Sequence, residues 1–131
     1  MAKTFLLVED DPNDAHLMRE VLKETHSSAN IHVEHNGLNA VLYLKGEVKF
    51  ANRDKYPIPD AILLDLEMPF FDGFEFLGWL RKEAQHQQIP VIVVTGSNRS
   101  TDIARVYELG AKGVVLKSSN WGHFKRKSKR A

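Results

Sequence analysis

Short apolar runs alternate with longer amphipathic segments along most of the chain. The runs are bounded by turn-forming residues and contain few polar positions, which is typical of strands buried on both faces of a parallel sheet. They lie at residues 5–8, 31–35, 61–64, 91–94 and 114–116. The run at 31–35 is more polar than the others, so we expect it at an edge of the sheet.

The segments between these runs carry apolar residues at helical spacing. Asp11 followed by Pro12 predicts the start of a first helix that ends near Thr25, because a carboxylate caps free N–H groups and proline fits the first helical position. Further helices are predicted to end near residues 46, 84 and 110, and a weaker fifth helix follows residue 117. The side chains expected to face the sheet are Leu17, Val21 and Leu22 in the first helix, Ala40, Val41 and Leu44 in the second, Phe74, Leu77 and Leu80 in the third, and Ile103, Val106 and Tyr107 in the fourth.

Strands that alternate with helices favour an α/β domain with right-handed crossovers and a parallel sheet covered on both faces. Five predicted strands and five predicted helices occupy residues 1–131, which we interpret as a single domain. The longest irregular connection is expected at 47–59, because Pro57 and Pro59 are incompatible with a helix leading into the next strand.

Composition excludes several classes of function. The 131 residues include no cysteine, so disulfides, thiol nucleophiles and zinc–thiolate sites are excluded. The formal net charge of +1 gives no indication of an anionic partner for the body of the protein. The first apolar run is too short for a signal-peptide core and no run reaches membrane-spanning length, so we expect a cytoplasmic protein without membrane contact.

Polar groups able to act on a phosphoryl group follow four of the five apolar runs. Glu9 and Asp10 follow the first run, Asp65 the third, Thr95 the fourth and Lys117 the fifth. Because the carboxyl ends of parallel strands share one edge of the sheet, we expect these side chains to converge on one site.

Charge indicates a role for each of these groups. Neighbouring carboxylates repel one another unless a divalent cation neutralises them, and Mg²⁺ prefers oxygen ligands and bridges to phosphate oxygens. Beside such a cation, we expect the Asp65 carboxylate to attack phosphorus and become an aspartyl phosphate. The Lys117 ammonium and the Thr95 hydroxyl are expected to stabilise the oxygens of the transferred group.

Four motifs, in this order, resemble the receiver domain of response regulators in two-component signalling. They are LVEDD at 7–11, LLDLEMP at 63–69 with DG at 72–73, VVTG at 93–96, and GAKGVVLK at 110–117. The resemblance covers nearly the whole chain and implies a flavodoxin-like (βα)5 fold with a five-stranded parallel sheet of order 2-1-3-4-5. It also implies roles for the site residues: phosphoacceptor (Asp65), switch hydroxyl (Thr95), phosphate-binding lysine (Lys117), and Mg²⁺ ligands (Glu9, Asp10, Asp65 and the backbone carbonyl of Glu67).

The resemblance further implies a stand-alone receiver without an output domain. Such a protein takes a phosphoryl group from a sensor histidine kinase or a phosphotransfer protein onto Asp65. It then relays the signal to a downstream protein by conformational change or phosphotransfer, so its role is signalling and not that of an enzyme. The proline-bearing stretch before Asp60 and the Lys117-Ser118 pair resemble more narrowly the small single-domain receivers that partner bacterial phytochromes.

Alternatives to this interpretation remain open. Receivers usually carry an aromatic residue on the last strand and a proline after the lysine, where this chain has Val114 and Ser118. A degenerate receiver that signals without phosphate is compatible with both differences. An aspartate-nucleophile phosphatase or mutase would use Glu67 as general acid and base, although the motif that usually follows is absent. A flavin or nucleotide binder is disfavoured, since the first turn is acidic and lacks phosphate-cradling glycines.

Features outside the motifs lead to further expectations. Phe70 and Phe71 are predicted either to dock a histidine kinase or to cover their own loop. The basic tail at 125–131 lacks interleaved aromatic residues, so nucleic-acid binding is not favoured. The six histidines show no ligand spacing and are expected at the surface or partly packed. The short last helix leaves apolar surface that a second copy of the chain would cover, which predicts a homodimer.

Overall fold

The computed structural model describes residues 2–117. Its strands are β1 Thr4–Val8, β2 Asn30–Glu34, β3 Ala61–Leu64, β4 Val91–Thr95 and β5 Gly113–Leu116. Its α-helices are α1 Pro12–Thr25, α2 Gly37–Lys45, α3 Gly73–Lys82 and α4 Ser100–Glu108, and a 3₁₀ helix, Val48–Ala51, follows α2. The predicted fifth helix and the basic tail lie outside the described residues. None of the helices within 2–117 is long and apolar enough to cross a bilayer.

The strands form one parallel sheet of order β2-β1-β3-β4-β5. This confirms the predicted flavodoxin-like order 2-1-3-4-5, with the polar strand β2 at an edge. The direction of winding reverses between β1 and β3, so the loops that follow these two strands diverge and leave a crevice at the carboxyl edge of the sheet. Residues placed just after β1 and β3 therefore line this crevice.

Residues of β1 alternate between two cores. Phe5 and Leu7 belong to a cluster that includes Met18 of α1. Leu6 and Val8 belong to the larger cluster, which contains buried residues of α2, α3 and α4. All of β1 is buried because helices cover both faces of the sheet, as predicted.

Local signals fix where the helices begin and end. Asp11 Oδ1 accepts a hydrogen bond of 2.8 Å from the Asn13 N–H, and Pro12 occupies the first position of α1. Helix α2 ends at Gly46, whose φ of 70° lies in the left-handed region that suits glycine. Because the start of α1 lies next to the end of β1, the loop between them is held close to the sheet.

Arg53 anchors the connection between α2 and β3. Its guanidinium donates to the carbonyl oxygens of Tyr43 at 2.7 Å and Leu44 at 2.6 Å, which end α2, and to that of Tyr56 at 3.2 Å. The Tyr43 hydroxyl donates to the Pro57 carbonyl at 2.8 Å. The stretch predicted to be irregular thus contains a 3₁₀ turn and is tied to the helix before it.

The predicted boundaries and buried faces differ from the structure in detail. Strand β2 covers Asn30–Glu34 where 31–35 was predicted, and α3 and α4 each end two residues early. The apolar residues buried on the helices are Ala15, Met18, Val21 and Leu22 on α1, Ala40, Tyr43 and Leu44 on α2, Phe76, Leu77 and Leu80 on α3, and Val106 on α4. The prediction was wrong for Tyr107, which is 50% exposed. Adjacent helical residues point about 100° apart, so a helix that meets the sheet through Val106 turns Tyr107 outward.

Candidate functional site

Glu9 and Asp65 follow the adjacent strands β1 and β3. The Asp65 N–H donates to the Val8 carbonyl at 2.9 Å, which continues the pairing of the two strands to this point. Both acidic side chains are buried, Glu9 fully and Asp65 with 2% exposure. Carboxylate oxygens of Glu9, Asp10 and Asp65 lie within 4.8 Å of one another. The structure therefore brings these three predicted residues together, while their roles as metal ligands stay predictions.

Lys117 follows β5 and extends to the same acids. Its Nζ donates to Glu9 Oε1 at 2.6 Å and to Asp14 Oδ2 at 2.9 Å. Asp65 Oδ1 lies 3.3 Å from Nζ, an ionic contact without hydrogen-bond geometry. One ammonium group is thus in contact with three carboxylates.

Burial changes the proton affinity of these groups. Burial, together with the neighbouring Asp65, raises the pKa of Glu9 to about 8 against the opposing effect of Lys117. Burial also raises the pKa of Asp65, while contacts with Glu9, Lys117 and the Glu67 N–H oppose the shift. Burial alone would lower the pKa of Lys117, but its hydrogen bonds to Glu9 and Asp14 raise it above the usual value. Without a cation, the neutral forms of Glu9 and Asp65 are therefore favoured more than they are in water.

These residues fit a hard divalent cation. Asp65 Oδ1 is a buried oxygen without a hydrogen-bond partner. It belongs to the group of three carboxylates formed by Glu9, Asp10 and Asp65. Burial disfavours the ionised forms of Glu9 and Asp65. A cation that prefers oxygen ligands would bind this atom and stabilise the ionised forms of the buried carboxylates. The Glu67 side chain is exposed, and the role of its backbone carbonyl as a metal ligand stays a prediction.

The chain just after Asp65 lies against the start of α3. A Cβ on Gly73 would lie 2.7 Å from the Asp65 carbonyl oxygen and 2.7 Å from Leu66 Cα. The Gly73 N–H donates to the Leu66 carbonyl at 3.1 Å. Asp72 and Glu75 form a capping box that fixes the first turn of α3. The position of Asp65 therefore depends on glycine at 73.

Thr95 ends β4 on the other side of β3. Its side chain is buried, and its hydroxyl accepts a hydrogen bond of 3.1 Å from the Ser97 N–H. This is the local bond to the next turn that a hydroxyl at a strand end commonly makes. The predicted contact of Thr95 with a phosphoryl oxygen stays a prediction. On β5, Val114 is half-buried and pairs with Val93, whereas Ser118 lies outside the described residues.

Two contacts of the site were not predicted. Asp14, in the first turn of α1, binds Lys117. His35, an exposed residue, forms a hydrogen bond of 3.0 Å from its Nδ1 to the Glu9 backbone oxygen, which accepts it. The signal for Asp14 was an acid three residues after the helix cap at Asp11, at the end of α1 that faces the carboxyl edge of the sheet. Elsewhere, His86 is more buried than expected, with 6% exposure.

Phe70 and Phe71 have different environments. Phe71 packs against the larger core, and a Cβ on Gly37 would lie 2.6 Å from its ring and 2.6 Å from its carbonyl oxygen. Phe70 is 98% exposed and has a φ of 69°, a conformation that is rare for a bulky residue. Phe71 is therefore the packed residue of the two, and docking through Phe70 stays a prediction.

The family model of the response regulator receiver domain matches residues 5–127. The chain therefore belongs to the response regulator receiver family of two-component signalling. Proteins of this family generally relay signals through a receiver that binds a divalent metal.

Phytochrome response regulators are among the relatives of this chain. Response regulator Rcp1 from Synechocystis sp. is 36% identical over 118 residues, which cover 90% of this chain and 78% of Rcp1. The structure of the phosphorylated cyanobacterial phytochrome response regulator RcpA matches with a TM-score of 0.88 and 32% identity, covering 99% of this chain and 91% of that one. The Mn²⁺-bound structure of Rcp1 matches with a TM-score of 0.84 and 32% identity, and the match covers 98% of this chain and 90% of that one.

Proposed function

We propose that this chain is a stand-alone receiver that accepts a phosphoryl group on Asp65 and relays a signal without acting as an enzyme. The observation that carries the proposal is the convergence of Asp65 with Glu9, Asp10 and Lys117 at the carboxyl edge of the sheet. A nucleophilic carboxylate, acids suited to a divalent cation and an ammonium are the groups that phosphoryl transfer to an aspartate needs. The similarity to phosphorylated RcpA supports it.

In the proposed step, a carboxylate oxygen of Asp65 attacks the phosphorus of a phosphohistidine. The O–P bond forms as the P–N bond breaks, and the leaving imidazole takes up a proton. The Lys117 ammonium, 3.3 Å from Asp65 Oδ1, lies close enough to stabilise the charge on the transferred group. The Thr95 hydroxyl accepts from the Ser97 N–H, which leaves its own proton available to donate to a second phosphoryl oxygen.

Glu9, Asp10, Asp65 and the Glu67 carbonyl are the residues proposed to hold Mg²⁺. When bound, Mg²⁺ would neutralise charge between the carboxylate and the oxygens of the transferred group. The Mn²⁺-bound form of Rcp1 supports a divalent cation, and the all-oxygen ligand set favours Mg²⁺.

The proposed phosphodonor is a sensor histidine kinase of the bacteriophytochrome type, or a phosphotransfer protein that acts between kinase and receiver. Support comes from the similarity to Rcp1 and to RcpA, a phytochrome response regulator. We further propose that residues 1–131 form one cytoplasmic receiver domain, that the basic tail at 125–131 does not bind nucleic acid, and that the chain forms a homodimer. Light scattering of the protein with and without beryllofluoride tests the dimer, and a monomeric mass in both samples contradicts it.

The test of the function is incubation with Mg²⁺ and acetyl phosphate, followed by intact mass spectrometry. Wild-type protein is expected to gain a single phosphoryl group, and Asp65→Asn to gain none. Asp54→Asn is the matched control, since Asp54 is an exposed aspartate in the connection between α2 and β3. It should be phosphorylated like wild type.

The same experiment separates the alternative functions. Absence of an adduct on wild-type protein, with this donor and with a phosphorylated histidine kinase, would favour a degenerate receiver that signals without phosphate. Continuous release of phosphate from a small phosphate ester, in place of a stable adduct, would favour an aspartate-nucleophile phosphatase. An adduct that survives in Asp65→Asn would place the phosphoacceptor at another residue.

A further inference from the structure

Asp14 has no part in the proposed phosphoryl transfer, yet it binds the lysine of the site. Its Oδ2 accepts from Lys117 Nζ at 2.9 Å, and its side chain is 27% exposed. The two other carboxylates around Nζ belong to Glu9 and Asp65, a proposed metal ligand and the proposed phosphoacceptor. Asp14 is therefore the carboxylate in contact with Lys117 that neither binds the cation nor receives the phosphoryl group in the proposed mechanism.

The local structure of α1 leaves the Asp14 carboxylate available for this contact. In α3 the equivalent third helical residue, Glu75, accepts from the backbone N–H of its cap Asp72 at 3.1 Å. In α1 the N–H of the cap, Asp11, lies 3.4 Å from Glu9 Oε2 instead. Because Glu9 accepts this N–H, Asp14 is released from a capping box and reaches Lys117.

Lys117 needs such a partner. Its side chain is long and flexible, and an ammonium without fixed acceptors samples many rotamers. Of its two hydrogen bonds to side chains, the one to Glu9 uses an oxygen that a cation at the site would also require. The bond to Asp14 has no such competitor and comes from the first turn of a helix, so it can hold the ammonium in place throughout the reaction.

We propose that Asp14 is a positioning residue that keeps the Lys117 ammonium beside Asp65 during phosphoryl transfer. This inference rests on the proposed function, since it concerns the geometry of the same site. A neutral residue at 14 leaves the metal ligands and the phosphoacceptor unchanged but frees Lys117 to move. The expected result is a slower gain of the phosphoryl group at an unchanged end point.

The test compares the rates at which variants gain a phosphoryl group from acetyl phosphate at saturating Mg²⁺, by intact mass over time. Asp14→Asn is expected to be about 3- to 30-fold slower than wild type, the range for loss of a charge-assisted contact in a coupled site. Asp14→Glu retains the carboxylate and should recover most of the rate. Asp54→Asn is the matched control, because it makes the same change at an exposed aspartate in the connection between α2 and β3, and it should react like wild type.

A double-mutant cycle with Lys117→Met distinguishes positioning from a purely structural role. If Asp14 acts through Lys117, Asp14→Asn causes no further slowing in the Lys117→Met background. An equal fractional slowing in both backgrounds, or a wild-type rate for Asp14→Asn, overturns the inference. If Lys117→Met forms no adduct within a day, the cycle cannot be measured, and the rates of Asp14→Glu and Asp14→Asn test the inference instead. Equal rates for these two variants would overturn it. Absence of an adduct on wild-type protein would instead overturn the proposed function, and this inference with it.

Discussion

Glu9 Oε1 and Lys117 Nζ lie 2.6 Å apart, and the Glu9 side chain is fully buried. This ion pair joins the residue after the first strand to the residue after the last described strand. Burial removes the hydration of the Glu9 carboxylate, and the contact with Lys117 does not fully offset this cost, so the pKa of Glu9 is raised to about 8. Proton affinity, cation affinity and stability are therefore linked at this site.

The metal-free protein is expected to lose stability as pH rises from 7 to 8. Folding raises the pKa of Glu9 from 4.5 to about 8, so between these values the folded protein holds a proton that the unfolded chain has released. Rising pH then favours the unfolded chain, and the free energy of unfolding should fall by about 1 kcal/mol across this interval. Urea unfolding in the presence of EDTA measures the change.

The two histidines with lowered pKa values do not contribute to the change in stability between pH 7 and 8. The pKa values of His32 and His86 are lowered by burial, so they affect stability only below about pH 6.5. Glu9→Gln should reduce the pH dependence, whereas the exposed acid variant Glu75→Gln should keep it. A free energy of unfolding that stays constant or increases from pH 7 to 8 would contradict the raised pKa of Glu9.

Lys117→Met is expected to bind Mg²⁺ more tightly than wild type. The substitution removes a positive charge beside the acids and frees Glu9 Oε1, which the ammonium otherwise occupies at 2.6 Å. Both effects act in the same direction, and we expect an increase in affinity of about three- to tenfold. Isothermal titration calorimetry measures the dissociation constant. Lys112→Met is the control, since Lys112 precedes β5 at the opposite edge of the sheet; equal affinities for both variants would refute the competition.

Two glycines of α3 are expected to respond oppositely to alanine. Gly73→Ala places a Cβ 2.7 Å from backbone atoms of Asp65 and Leu66, so the loop must shift, at a cost of about 1–3 kcal/mol of stability and with slower phosphoryl transfer. A Cβ on Gly78 would meet no atom within 4 Å, so Gly78→Ala should gain about 0.5–1 kcal/mol from helix propensity. Thermal unfolding and the acetyl phosphate assay measure both variants, and similar effects of the two would count against a close approach at 73.

The adjacent residues Phe70 and Phe71 are also expected to differ. Phe70→Asn replaces an exposed side chain at a φ of 69° by a residue that tolerates this conformation, and should stabilise the fold by about 0.5–1 kcal/mol. Phe71→Ala removes a ring packed against the core beside Gly37, and should cost about 2 kcal/mol. Urea unfolding measures both, and destabilisation by Phe70→Asn would indicate a contact that its exposure does not suggest.

Most of the site was predictable from where apolar runs stop. In a parallel sheet the chain direction places every strand end at one edge, so Glu9, Asp65 and Lys117 could be assigned to one site without coordinates. Asp14 could not, because its role depends on the direction in which α1 leaves the sheet and on how far the Lys117 side chain extends. Neither property is visible in a periodic pattern of apolar residues.

Side-chain orientation within loops also could not be predicted from the sequence. Phe70 and Phe71 are chemically identical, and their opposite environments follow from the left-handed backbone at Phe70. Sequence patterns favour such a conformation for glycine or asparagine, not for phenylalanine. The hydrogen bonds of Arg53 could not be predicted either, because its acceptors are backbone carbonyls whose positions depend on how α2 ends.

Arg53 divides the long connection between α2 and β3 into two short loops, since it fixes the middle of this connection to the end of α2. The entropy of closing a loop increases only slowly with its length. Insertions on either side of Arg53 should therefore be tolerated at the edge of the sheet opposite to Asp65. Evolution can vary the length of this connection while the residues around Asp65 stay in place, which makes it a suitable position for engineered insertions.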